Sequence, residues 1–195
     1  FAEWNGLRAD VRFIGLHNYA TIFTADAAFL QSLLITLVFS ALYVVISNVL
    51  AFTFALLFDS GLKGHKAYKS IVFMPNAISL IIVAFVFNFM FAKVYGGIVE
   101  AFSLPDFFDI SWFRNGSSAM AAMIIAYMWH GTGFYMVIYI AGLQMIHKEH
   151  LEAAEIDGAS SFQKLFRVII PLTMPSITIN LFLSLTNAFK AFEMP

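Results

Sequence analysis

The chain has 195 residues, 61% hydrophobic and 12% charged, with a formal net charge of -1, against about 45–50% and about 25% for an ordinary soluble domain. Together with 23 Phe and 7 Tyr, that balance exceeds what a soluble domain of this length can bury and points to lipid as the solvent. Eleven Lys and Arg without a basic stripe argue against nucleic acid, and the lack of cysteine excludes disulfides and thiolate metal sites.

Residues 1–26 are too polar to cross a bilayer, and Phe1 to Asp10 lack the basic start and apolar run of a signal peptide. Four charge-free stretches follow, bounded by Asp26 and Asp59, Lys69 and Lys93, Arg114 and Lys148, and Arg167 and Lys190. They predict spanning helices near 29–58, 70–92, 117–146 and 168–189 within a single transmembrane domain, 1–195. The shortest, Val168 to Phe189, has 22 residues and would cover roughly 33 Å as a helix, slightly more than a hydrocarbon core. Between Leu30 and Phe58 there are 18 Leu, Ile, Val or Phe, worth very roughly -5 to -11 kcal/mol of insertion, which Gln31 and Asn48 do not overturn. Four buried helices of a soluble core would need polar outer faces, and these stretches lack them.

Basic residues in short loops set the orientation. Loops 59–69 and 147–167 carry Lys63, Lys66, Lys69, Lys148, Lys164 and Arg167, six in 32 residues; the other side carries Arg8, Arg12, Lys93, Arg114 and Lys190, five in 56. This modest asymmetry predicts an external segment 1–26 and a cytoplasmic loop 147–170. Asn115-Gly116-Ser117 is read as a turn rather than a glycosylation site. The loop is patterned as structure: a short helix over Lys148 to Ile156, a stop at Gly158, and a second helix from Ser160, where Ser160 and Gln163 have capping-box spacing. Phe162, Leu165, Phe166 and Ile169 give that second helix an apolar face. Pro171 and Pro175 fall in the first turns of the last span, where a missing amide donor costs least or places a kink.

Glu152-Ala153-Ala154, Asp157-Gly158-Ala159, Phe166 and Pro171 resemble the EAA signature of binding-protein-dependent importer permeases: EAA, three residues, Gly, nine residues, Ile-x-Leu-Pro. The spacing is met in full, with Val168 for the usual Ile and Ile170 for the usual Leu. Trp4-Asn5-Gly6 with Gly15-Leu16-His17-Asn18-Tyr19, then Tyr95-Gly96-Gly97, then Trp129 through Ile146 look like the maltose-type carbohydrate-uptake branch, so the resemblance covers nearly the whole chain. His147 stands where that family usually has Pro, and Phe87-Asn88-Phe89 replaces a common Trp-containing stretch.

The resemblance implies an all-α integral membrane protein with the type I ABC importer transmembrane fold. Its six helices would include these four as the second to fifth, so the chain is expected to be clipped at both ends. It also implies a multi-pass subunit of the bacterial cytoplasmic (inner) membrane that forms the translocation pathway for a sugar or sugar-like solute. Expected partners are a second permease subunit, two copies of a cytoplasmic ATPase and an external solute-binding protein. The chain has no Gly-x-x-x-x-Gly-Lys-Ser/Thr loop, so it is expected to be no enzyme and to bind no cofactor, with ATP and Mg used by the partner ATPase. Glu152, Ala153, Ala154, Asp157, Gly158 and Ala159 would couple to that ATPase.

His147 and His150 are three apart with no third ligand near in sequence, so they read as a solvated pair and no metal site is expected. His130 sits beside Trp129 and Gly131 in an apolar span, where an ionisable group usually faces a cavity or a partner. Sugar sites combine aromatic faces with hydrogen-bonding tips. The resemblance places the pathway along the fourth and fifth helices, which singles out His130, Phe134 and Asn187; Tyr127, Tyr135, Tyr139 and Asn180 carry the same two readings, solute contact or helix pairing. The alternative is a secondary transporter driven by an ion gradient, which would typically show charged residues inside spans or discontinuous helices repeated in two halves, and the pattern shows neither. An intramembrane enzyme would need a nucleophile and base or paired carboxylates, and the four spans contain no Asp or Glu.

Overall fold

The structure, a computed structural model, describes residues 1–3, 12–24, 27–59, 65–103, 105 and 110–191. Trp4-Asn5-Gly6, Arg8, Asp26 and Lys63 lie outside the described residues, as does the side chain of Lys66. The chain forms two compact units, 1–39 and 40–195.

In the first unit, strands β1 (Ala2–Glu3) and β2 (Arg12–Phe13) pair antiparallel, with Ala2 opposite Phe13. The Ile14 amide donates to the Phe1 carbonyl at 2.9 Å, and Gly15 turns the chain at φ +57° into helix α1 (His17–Thr24). Asn18 donates from Nδ2 to the Ala2 carbonyl at 3.2 Å, and the Tyr19 ring lies 5.5 Å from that of Phe1. The Gly15 to Tyr19 run is thus the piece that ties α1 to the strand pair.

Helix α2 (Ala27–Asp59) is the first span. From residue 40 onward its buried positions are Ser40, Tyr43, Ser47, Asn48, Ala51 and Ala55, while Leu42, Val45, Ile46, Val49 and Leu57 are exposed. Buried positions recur at helical spacing and are small or polar; the outward face is branched and apolar. A soluble helix has the reverse arrangement. Side chains of this kind are stable outward only where the surroundings are hydrocarbon.

Helix α3 (His65–Phe73) runs into a 3₁₀ turn, Met74–Ala77, and the chain is then extended at Ile78 (ψ 139°) and Ser79 (ψ 137°) before α4 begins. The expected continuous span 70–92 is therefore broken at 78–79. Pro75 explains it: the ring has no amide to donate and crowds the preceding turn, so the chain tightens and leaves the helix. The apolar helix of this region is α4 (Leu80–Ala101), which runs past Lys93 through a π-helical turn at Met90–Val94. Only 6% of its most apolar window is buried inside the chain, against 50% for helix α5 (Gly116–Gln144). α5 is the hub of this unit, touching α3, the 3₁₀ turn, α4 and the final helix.

After the loop helix α6 (Lys148–Ile156), helix α7 (Ser161–Leu172) and helix α8 (Met174–Phe189) meet at Thr173 with a bend of 70°. The expected span 168–189 is thus not one straight rod. Pro171 cannot supply the amide that would close the previous turn, which widens to a π-helical turn at Leu165–Ile169; Pro175 removes the next donor. The Thr173 hydroxyl donates towards the Ile169 and Ile170 carbonyls at 2.9 and 3.1 Å, beside the Thr173 amide, which donates to the Ile169 carbonyl at 3.0 Å.

Two glycines of α5 admit close neighbours, the backbone of Val72 and Phe73 at Gly133 and the side chain of Ser176 at Gly142. A Cβ at Gly133 would lie 2.7 Å from Phe73 Cα, and one at Gly142 would lie 2.8 Å from Ser176 Cβ. Gly133→Ala should therefore lower stability by about 1–3 kcal/mol through overpacking, seen as a lower thermal midpoint of the purified subunit. Gly116→Ala, which meets open space, should leave the midpoint unchanged.

Candidate functional site

A polar seam runs through the packed faces of α2, α5 and α8. The Tyr139 hydroxyl donates to Asn48 Oδ1 at 2.7 Å, and Asn48 Nδ2 donates to Ser184 Oγ at 2.9 Å and to the Val44 carbonyl at 2.8 Å. One turn of α5 away, the Tyr43 and Tyr135 hydroxyls lie 3.1 Å apart, Asn187 Nδ2 donates to Tyr135 Oη at 3.0 Å, and Asn180 Nδ2 donates to the Tyr135 carbonyl at 3.0 Å. Tyr43, Asn48, Tyr135, Tyr139, Asn180 and Ser184 are all buried. In a medium without water each such group needs a protein partner, so the bonds decide which faces of the three helices meet.

The seam opens at one end into a cavity of about 240 Å³, somewhat below the roughly 300–1,000 Å³ of drug-sized ligand sites. His130, Phe134 and Asn187, the three expected pathway residues, line it together. Tyr43, Tyr127 and Tyr135 supply further aromatic surface, and Asn76, Leu80 and Lys190 complete the wall with Gly131. Among the described residues no carboxylate lines it. His130 is half-buried, and its Nε2 sits 3.0 Å from the Ile78 carbonyl oxygen, so that nitrogen carries the proton and donates. Asn187 is exposed on the cavity side while holding its one bond to Tyr135. Of the residues read as ambiguous in the sequence, Tyr127 and Tyr135 reach the cavity, whereas Tyr139 and Asn180 belong to the buried seam.

Sequence reasoning missed Tyr43, Asn48, Asn76 and Lys190. The signal for the first two was present: residues 40, 43, 47, 48, 51 and 55 are small or polar at one-face spacing in an apolar run. Asn76 and Lys190 gave no such signal, because the first reaches the cavity only through the break after Pro75 and the second lies beyond the charge-free stretch.

The loop 147–170 is a built elbow. α6 ends at Gly158, φ +74°, where the Ala159 amide donates to the Ala154 carbonyl at 2.9 Å and the Gly158 amide to the Glu155 carbonyl at 3.0 Å, the paired bonds of a Schellman stop. Nothing lies within 4 Å of a Cβ built at Gly158, so the backbone angle alone demands glycine there. Ser160 then starts α7 with both bonds of a capping box, to and from Gln163. Lys164 pairs with Glu155 across the turn. Glu152, Ala153, Asp157 and Gly158 are exposed and Ala154 and Ala159 half-buried, so the six residues of the signature form one accessible knuckle. His147 and His150 have their rings 6.3 Å apart, edge to face, at the base of α6.

The family model described as "Binding-protein-dependent transport system inner membrane component" matches residues 47–194. The chain belongs to this family. Among its relatives are the probable starch degradation products transport system permease protein AmyD of Thermoanaerobacterium thermosulfurigenes, 34% identical over 99% of this chain and 65% of that protein. The trehalose/maltose transport system permease protein MalF of Thermococcus litoralis is 33% identical over 98% of this chain and 66% of that protein. The chain spans about two thirds of the length of these curated relatives. A bacterial ABC transporter involved in the import of the acidic polysaccharide alginate shares the fold, with a TM-score of 0.77 at 23% identity over 91% of this chain and 63% of that one. The same match appears for the bacterial alginate ABC transporter in complex with alginate pentasaccharide-bound periplasmic protein, with a TM-score of 0.76 at 25% identity over 90% of this chain and 61% of that one. The chain is therefore a multi-pass, all-α membrane component with the transmembrane fold of ABC importer permeases, and its relatives are permeases rather than enzymes.

Removing the Tyr139 hydroxyl leaves Asn48 Oδ1 buried without that donor. Tyr139→Phe should cost about 1–2 kcal/mol of stability, and adding it to Asn48→Ala should cost little more than Asn48→Ala alone. A double-mutant cycle on thermal midpoints checks the coupling.

Proposed function

We propose that this permease component forms part of the translocation pathway for a sugar or sugar-like solute in an ATP-driven importer, and that its cavity contacts the solute. The observation that carries the reading is the cavity itself. Phe134 offers an aromatic face to pyranose C–H surfaces in front of the buried Tyr43, Tyr127 and Tyr135, while His130, Asn76, Asn187 and Lys190 offer hydrogen bonds to hydroxyls. The relatives named for starch degradation products and for trehalose and maltose support the same solute class. Within this reading the chain sits in the bacterial cytoplasmic membrane beside a second permease subunit. An external binding protein delivers the solute, as the alginate complex with its periplasmic protein suggests for this chain too.

Coupling falls to the knuckle of α6. Glu152, Ala153, Ala154, Asp157, Gly158 and Ala159 dock on one of two copies of a cytoplasmic ATPase, which binds ATP and Mg. Closure of the ATPase pair turns the elbow and switches access from one side to the other. Support comes from the accessibility of the knuckle and from its stiffness, since the Schellman stop, the capping box and the Lys164–Glu155 pair leave little slack. ATP-dependent uptake of labelled maltose or trehalose by vesicles carrying the full-length subunit and its partners tests the whole reading; uptake that follows an ion gradient without ATP would favour the secondary transporter instead.

Gly158→Val should separate hydrolysis from transport, because a β-branched residue is costly at positive φ and misaims the knuckle. Uptake should fall at least tenfold while the complex still hydrolyses ATP. Asn187→Ala should raise the KM for uptake several-fold with complex yield retained, since Asn187 gives the seam only one bond, at its rim. Loss of yield with an unchanged KM would make Asn187 a packing residue and not a pathway residue.

A further inference from the structure

We propose that His130 is a positioning residue: its Nε2–H holds the Ile78 carbonyl and so fixes the broken span 74–80 as a wall of the cavity. The proposal rests on the reading of that cavity as the solute pathway. In an unbroken helix the Ile78 oxygen would accept from the amide four residues on, but the extended backbone at Ile78 and Ser79 makes that bond impossible. An unpaired carbonyl at membrane depth is costly, and irregular backbone persists there only where side chains or a cavity satisfy it. His130 supplies the partner at 3.0 Å from the neighbouring helix α5. The same stretch of α5 presses on the segment from the other end, where Gly133 admits the backbone of Val72 and Phe73. The break is thus gripped at both ends by residues 130 and 133.

What the grip positions is visible in the cavity wall. Asn76, from the 3₁₀ turn, and Leu80, the first residue of α4, both line the cavity and flank the held carbonyl. Nε2 is committed to Ile78, so a neutral His130 leaves Nδ1 as an acceptor only. Apart from any hydroxyl that Nδ1 accepts, the ring acts on the solute through where Asn76 and Leu80 stand. A donor of similar reach replaces this function; a ring without a donor does not.

The test uses the full-length subunit assembled with its partners in lipid nanodiscs and vesicles, comparing H130Q, which keeps an N–H donor, with H130F, which keeps a ring. Hydrogen exchange reads the break directly, through the amides of Ile78 and Val83, which donate to Pro75 and Ser79 carbonyls at 3.1 Å each. H130F should speed exchange of this segment at least tenfold and raise the KM for maltose or trehalose uptake, with a smaller change in kcat. H130Q should stay within about twofold of the parent in both. Unchanged exchange in H130F would overturn the proposal, even if its KM rises, since His130 would then act by touching the solute. So would H130Q exchanging as fast as H130F. Should H130F fail to assemble, H130Q alone decides: exchange at the parent rate supports the latch and a tenfold rise overturns it. Exchange needs no solute, so a parent complex that fails to transport these sugars would count against the functional reading and leave the latch to be judged by exchange.

Discussion

The structure depends on one constraint: in hydrocarbon, a buried donor or acceptor is costly unless it finds a partner inside the protein. Apolar contact cannot choose which helix faces meet, because lipid tails are as apolar as Leu or Val. The choice falls to the few polar side chains, and here they form a seam. Asn48, Tyr139 and Ser184 join α2, α5 and α8 at one level, and Tyr43, Tyr135, Asn180 and Asn187 join them again at another. Small residues on α5 let neighbouring elements approach closely enough for those bonds to be short.

The same constraint governs the interruptions. Pro75 and the pair Pro171 and Pro175 each remove backbone donors within a membrane-spanning region, which would be prohibitive if the freed carbonyls faced lipid. Near both breaks a side chain also bonds backbone carbonyls: His130 that of Ile78, Thr173 those of Ile169 and Ile170. The first interruption borders the cavity and the second joins the last span to the loop. Irregular backbone has thus been admitted at the two places where transport would require a shaped surface and a joint.

Much of this was readable in the residues. Charge-free length located α2 and α5 to within a few residues, and the glycine and capping signals at Gly158, Ser160 and Gln163 located both loop helices. Such signals are local, so they survive without knowledge of packing. The first break was not located, because a window free of charge averages over backbone continuity: 70–92 is charge-free whether or not the helix is interrupted, whereas Pro171 and Pro175 marked 168–189 as a place for a kink. Pro75 was the available sign for the first break. His130, Phe134 and Asn187 were chosen by type and by resemblance, and the fold brings them into one cavity; Asn76 and Lys190 joined them only through tertiary geometry that sequence spacing does not encode.

The bend at Thr173 has a mechanical meaning. α7 is a moment arm of roughly 18 Å by its residue count, set at 70° to α8. A push along the membrane normal at the far end of such an arm arrives at Thr173 as torque, whereas the same push on a straight helix would only slide it along its own axis. A swing of about 10° moves the far end by ~3 Å, a displacement comparable to the small helix shifts that packed proteins amplify between two states. Under the proposed coupling, gearing of this kind would trade force at the knuckle for rotation at the root of the last span, at an angle set near the two prolines.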